Sequence, residues 1–111
     1  MTASKAIEKT DKLLPNSYDD ETKLGWISGF DGMIKRLVFQ EGEATPYVFP
    51  EDMEKELLVP FPYDNLYGLL LEVQIHLYNK EYDDYNNTAM VFENRLNEYK
   101  KAYIREHAAK G

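Results

Sequence analysis

Apolar residues recur along this chain at helical spacing in four places, and in one of them they crowd. In PYDNLYGLLLEVQIHLY, from Pro62 to Tyr78, Leu66, Leu69, Leu70, Val73 and Leu77 mark one helical face. Tyr67, Leu71, Ile75 and Tyr78 mark another. A helix apolar around most of its girth must be covered on most sides. The pattern therefore predicts a central helix over 62–79, shielded by the other helices or partly by another subunit. Pro62 is expected in its first turn, where a missing amide donor costs nothing, with Asp64 near its positive end.

The other three segments are amphipathic. Residues 4–14 carry a narrow stripe of Ala6, Ile7, Thr10 and Leu13 or Leu14, with Ser4 as the expected cap and Pro15 as the stop. Residues 20–39 open on Asp19-Asp20-Glu21, where Asp19 or Asp20 can cap and the other carboxylates lie near the positive end of the helix dipole. Their core-facing set is Leu24, Ile27, Phe30 or Met33, Ile34, and Leu37 or Val38. In 83–106, Ala89, Phe92, Leu96, Tyr99 and Tyr103 recur at threes and fours, and Tyr85 extends the same face backwards. This helix is longer than the central one, so one end should overhang the domain, and His107 to Gly111 should fray.

Between the second and third helices the periodicity fails. Residues 40–61 hold turn signals at Gly42, Pro46 and Pro50, and two apolar islands, Tyr47-Val48-Phe49 and Leu57-Leu58-Val59. The islands could pair as a short β-hairpin, with one helical turn from Glu51 to Lys55 between them. The expected fold is a single all-α domain of four helices over 1–111. The second to fourth form the core, the first packs across it, and the arm is irregular.

The second helix also carries Gly25, Gly29 and Gly32 on a common face. Each glycine costs about 1 kcal/mol relative to alanine in a helix interior. Very close packing against that face is the expected reason, with Trp26 beside the groove as a large anchor.

A composition 43% apolar and 30% charged belongs to a soluble globular chain rather than a disordered one. No apolar run reaches the roughly 18 residues of a membrane span, so no membrane partner is expected. The opening MTASKAIEKTDK lacks the apolar stretch of a secretory signal, which makes the cytoplasm the default expectation. The absence of cysteine excludes disulfides, thiolate-ligated metals and thiol catalysis. A net charge of -7 argues against sequence-independent DNA binding, which needs a basic footprint. The charge is unevenly placed. Between 40 and 60, Glu41, Glu43, Glu51, Asp52, Glu54 and Glu56 face only Lys55, whereas 95–111 holds five bases against Glu98 and Glu106. An acidic arm and a basic tail could meet across copies of the chain.

Local motifs do not assemble into chemistry. His76 reads as a hydrogen-bonded structural or half-exposed histidine, His107 lies in the tail, and no acid, ligand or nucleophile pattern joins them. Asp83-Asp84 is not followed by the ligand series of a calcium loop, and Asp19-Asp20-Glu21 has the same weakness. Asn86-Asn87-Thr88 has the form of a glycosylation acceptor but lacks a secretory context. The expectation is no enzyme, no metal and no cofactor. Nine tyrosines, with Tyr63, Tyr67, Tyr78, Tyr82 and Tyr85 straddling the ends of the central helix, favour a surface partly covered by other protein.

One ordered set of residues carries a resemblance. It runs Leu13-Leu14-Pro15-Asn16 with Tyr18, then Lys23-Leu24-Gly25-Trp26-Ile27, then Glu56-Leu57-Leu58-Val59-Pro60-Phe61-Pro62-Tyr63-Asp64 with Leu66-Tyr67. It closes with Glu81-Tyr82-Asp83-Asp84-Tyr85-Asn86-Asn87, Phe92, and a helix through Tyr99 and Tyr103. In these positions the chain resembles the small head-tail connector or adaptor proteins of tailed bacteriophages and prophages of low-GC Gram-positive bacteria. It departs from them at Ser28-Gly29-Phe30-Asp31-Gly32, where a polar, acidic pair is usual.

The resemblance implies a structural subunit of the virion neck, assembled in the host cytoplasm. Such subunits form a ring of about a dozen copies that joins the portal protein to the next neck or tail protein, using two different surfaces of each copy. DNA passes through the channel without sequence-specific binding. The expected apolar contact residues are Trp26, Tyr47, Val48 and Phe49, and the expected electrostatic ones Glu51, Asp52, Lys100, Lys101 and Arg105. Another small morphogenesis or tail-completion protein, or a standalone regulatory binding module, are the alternatives.

Overall fold

A computed structural model describes residues 1–108, which form four α-helices: α1 (Ala3–Leu13), α2 (Asp20–Met33), α3 (Leu66–Tyr78) and α4 (Tyr82–Ala108). The domain is all-α. No β-strand occurs among the described residues; the nearest thing is a single antiparallel bridge between Thr2 and Glu56.

The first two helices start where a side chain satisfies a free amide. The cap of α1 is Thr2 rather than Ser4: Thr2 is extended, and its hydroxyl oxygen accepts from the Lys5 amide at 3.2 Å. Ser4 lies inside the helix, and its hydroxyl donates to Glu54. The Asp19 carboxylate accepts from the Thr22 amide at 2.8 Å and starts α2. Asp11 binds α1 to α2, since it receives both the Lys23 ammonium, 2.8 Å away, and the Asn16 side-chain amide. Lys23 is only 2% exposed, so Asp11 is the partner that makes its burial tolerable.

Beyond Met33 the helix widens into a π-helical turn, Ile34–Val38, closed by the Phe39 amide on the Ile34 carbonyl. In this turn Ile34 is buried and Val38 half-buried, while Leu37 points outward.

The arm makes no hairpin, because the amides that would pair its strands are taken by side chains. Tyr47 N–H donates to Ser28 Oγ, Val48 N–H to Asp52, Leu58 N–H to Asp31 and Val59 N–H to the Tyr67 oxygen. The short helical turn expected here is present as a 3-10 turn at Glu51–Glu54. Leu57 and Val59 are buried in the core.

The central helix begins at Leu66, not at Pro62. Two tight turns precede it, with the Tyr63 amide on the Pro60 carbonyl and the Leu66 amide on that of Tyr63, so Pro62 sits in the approach. Once started, α3 packs against α1, α2 and α4, and Leu66, Tyr67, Leu70, Leu71, Val73 and Ile75 are buried.

A three-residue corner joins α3 to α4. The Lys80 amide bonds to the Leu77 carbonyl and the Glu81 amide to that of His76, the paired bonds of a Schellman turn. Lys80 takes the left-handed conformation that this turn requires (φ 61°).

With 27 residues, α4 is about 40 Å long. Its last turns do not overhang freely: Tyr99 packs on Tyr63, and Tyr103 stacks on Phe39 with centroids 4.8 Å apart. His107 and Ala108 are helical; the remainder of the stretch expected to fray, 109–111, lies outside the described residues. Among the described residues no helix is long and apolar enough to cross a membrane.

Candidate functional site

Asp31 is a buried carboxylate in the last turns of α2, only 2% exposed. Both of its oxygens accept hydrogen bonds. Oδ1 accepts from the Tyr67 hydroxyl at 2.5 Å, and Oδ2 accepts from the Tyr47 hydroxyl at 2.5 Å and the Leu58 amide at 3.2 Å. The Tyr67 oxygen in turn accepts from the Val59 amide at 2.8 Å. This node ties α2, α3 and both ends of the arm together, and among the described residues no buried side-chain polar atom lacks a partner.

Burial raises the Asp31 carboxyl above the usual carboxylate range, against three hydrogen bonds that pull it down. The Tyr47 and Tyr67 hydroxyls are pushed up by burial and by the carboxylate they face, so both stay neutral donors. Three donors from three separate parts of the chain converge on this one carboxylate. The arrangement is built to hold the arm in place.

That changes the standing of several expected contact residues. The Tyr47 hydroxyl is spent on Asp31 and the Lys55 ammonium lies over its ring, so Tyr47 anchors the arm within its own subunit. Asp52 accepts from the Val48 amide and shapes the turn. Trp26 stacks flat on Tyr78 (5.6 Å, 5°) and meets Tyr18 edge-on, so it closes the α2–α3 contact rather than projecting from it. Val48, Phe49 and Glu51 remain exposed at the arm's tip. Lys101 and Arg105 are exposed and Lys100 half-buried, and none has an acidic partner within 4.0 Å among the described residues.

The glycine face of α2 is not closely packed. A methyl group on Gly25 or Gly29 would meet nothing within 4 Å, and on Gly32 only the Ala44 methyl at 3.5 Å. The charge of the arm is also partly used at home, with Glu54 receiving the Ser4 hydroxyl and Glu56 pairing with the amino terminus at 2.5 Å. Glu41, Glu43 and Glu51 carry the rest to solvent.

Large apolar side chains remain outside. Phe61 is 84% exposed, Leu13 79% and Leu37 69%; Met90, Val91 and Ile104 on α4 are exposed as well. Leu13 and Val91 help line an open groove of about 390 Å³ between α1, α3 and α4, floored by Gly68 and Leu69. On α4, Tyr82, Met90 and Ile104 fall within one sector about 80° wide at about 100° per residue, bordered by Lys100 and Lys101.

At the α3–α4 corner, His76, Glu81 and Asp84 converge. His76 Nδ1 lies 2.9 Å from Glu81 Oε1, and this bond, with one from Asn79, holds the Glu81 carboxyl below the usual range. Read along the chain, these three residues belong to two helices and the turn between them, so only the fold brings them together. Comparison of the chain with protein-family models, with curated proteins and with solved structures returned no match in any of the three.

Proposed function

We propose that this chain is a structural subunit that works by covering its exposed apolar surface with sister copies and with neighbouring proteins. The carrying observation is the number of large apolar side chains left outside a well-sealed core, with Phe61, Leu13 and Leu37 each more than two-thirds exposed. Surfaces of this kind mark protein contacts when they gather into patches, and Leu13 and Val91 both line the α1–α3–α4 groove.

The resemblance to head-tail connectors gives this reading its specific form: a ring of copies between a portal and the next neck or tail protein. Two separated charged surfaces suit head-to-tail assembly, in which each copy offers one face to the next. Here they are the acidic tip of the arm, with Glu41, Glu43 and Glu51, and the cations Lys100, Lys101 and Arg105 on α4, which have no acidic partner among the described residues. The net charge of -7 would keep a channel wall from gripping the DNA that passes it.

Sedimentation velocity of the purified chain, alone and with its portal ring, tests the proposal. Self-association or co-sedimentation with the ring is expected, weakened in a salt-dependent way by Lys100→Glu with Lys101→Glu. A monomer or dimer that stays unchanged beside the portal would favour a tail-completion or regulatory binding role instead.

A further inference from the structure

We propose that the corner between α3 and α4 is a binding site for a divalent transition-metal ion of the zinc type, held by His76, Glu81 and Asp84. It is independent of the assembly reading. One imidazole nitrogen of His76 and one carboxylate oxygen each from Glu81 and Asp84 lie within 4.8 Å of one another. An ion that takes two or three such groups needs them on one side of it, with water completing the shell.

The corner is fixed by its backbone. His76 and Glu81 are joined main chain to main chain across the Schellman turn, at 2.9 Å, and the Glu81 carbonyl accepts the Tyr85 amide at 2.8 Å as α4 begins. The ligands thus come from two rigid helix ends, which suits a preorganised site. The Glu81 side chain is also oriented in an unusual way. A carboxylate at the start of a helix ordinarily turns onto the free amides of the first turn. That of Glu81 turns back to His76 and is steadied by the Asn79 amide at 3.5 Å. Asn79 is itself held by the Tyr18 hydroxyl at 2.7 Å, so the ligand has an outer support of the kind found behind metal ligands.

The donor set selects the ion. One imidazole nitrogen beside two carboxylates suits zinc, cobalt, nickel or manganese, whereas magnesium and calcium take oxygen alone.

Isothermal titration of the full chain with Zn²⁺, repeated with Co²⁺ and read by its visible spectrum, tests the site. Saturable one-to-one binding is expected. Loss of an outer support typically weakens a metal site about 10- to 100-fold, so Asp84→Asn, which removes a ligand, should weaken binding by at least about tenfold. Asp84 makes no side-chain hydrogen bond among the described residues, so this variant should fold normally, as its circular dichroism would show. Glu81→Gln should act in the same direction, and His107→Ala should leave the affinity unchanged. The site is overturned if the wild type shows no saturable binding, if binding survives undiminished in Asp84→Asn and Glu81→Gln, or if His107→Ala removes it.

Discussion

The Asp31 carboxylate and the Tyr67 hydroxyl lie 2.5 Å apart in the centre of the domain, joining α2 to α3 across 36 residues of sequence. Around this pair the arm is gathered: Tyr47 and Leu58 donate to the same carboxylate, and Val59 to the same phenol. The arm is therefore a fixed part of the subunit over the stretch that carries its apolar islands.

Removing the phenol oxygen alone should be costly. Tyr67→Phe keeps the ring, which packs edge-on against Phe30, but leaves Asp31 Oδ1 and the Val59 amide without their partner. A buried group left unsatisfied costs about 1–3 kcal/mol, so a loss of about 2 kcal/mol in urea unfolding is expected. Asp31→Ala strands three donors and should cost more, about 3 kcal/mol. A Tyr67→Phe variant as stable as wild type would show that the node does not hold the arm.

The same carboxylate sets a pH dependence. Burial raises the Asp31 carboxyl in the folded chain, so between its unfolded value, about pH 4, and its folded one the folded state holds the extra proton. The contribution is fully present below the unfolded value and is lost as pH rises through the folded one. Asp31→Asn should abolish that component, so unfolding free energy plotted against pH should fall less steeply above about pH 4 in the variant. Parallel curves would contradict the raised carboxyl.

Gly25 and Gly29 give a separate check on what the α2 face is for. Neither glycine is required by the subunit's own packing, since a methyl group at either meets nothing within 4 Å. Gly25→Ala and Gly29→Ala should each stabilise the isolated chain by up to about 1 kcal/mol, measured by thermal unfolding. If the double variant is more stable yet assembles poorly with the portal, the face is a contact between proteins. If it is less stable, the packing of α2 differs from that described.

Hydrophobic spacing made the helices legible because each buries a face repeated along its own length. It brought out Leu24 and Ile27 on α2, Ile34 in the turn that extends it, Leu96 and Tyr99 on α4, and the apolar girth of α3. It left Leu37 and Val38 as alternatives at the helix end, where the structure turns Val38 inward and Leu37 outward. The polar node escaped it altogether. An aspartate between Phe30 and Gly32 looks like a surface residue on a helix, and its partners lie 16, 27 and 36 positions away. The glycine pattern pointed to close packing that the subunit does not contain. The corner ligands were hidden for a related reason: His76 lies in the last turn of one helix, Glu81 in the turn that follows and Asp84 in the first turn of the next.

Electron microscopy of the purified chain mixed with a portal ring, the partner proposed above, tests most directly whether the uncovered apolar surface exists for assembly. The expected result is a ring of copies seated on the portal, with Phe61, Leu13 or the Met90–Ile104 face of α4 buried between subunits or against it. Portal rings that emerge bare beside a chain that remains monomeric would contradict the account.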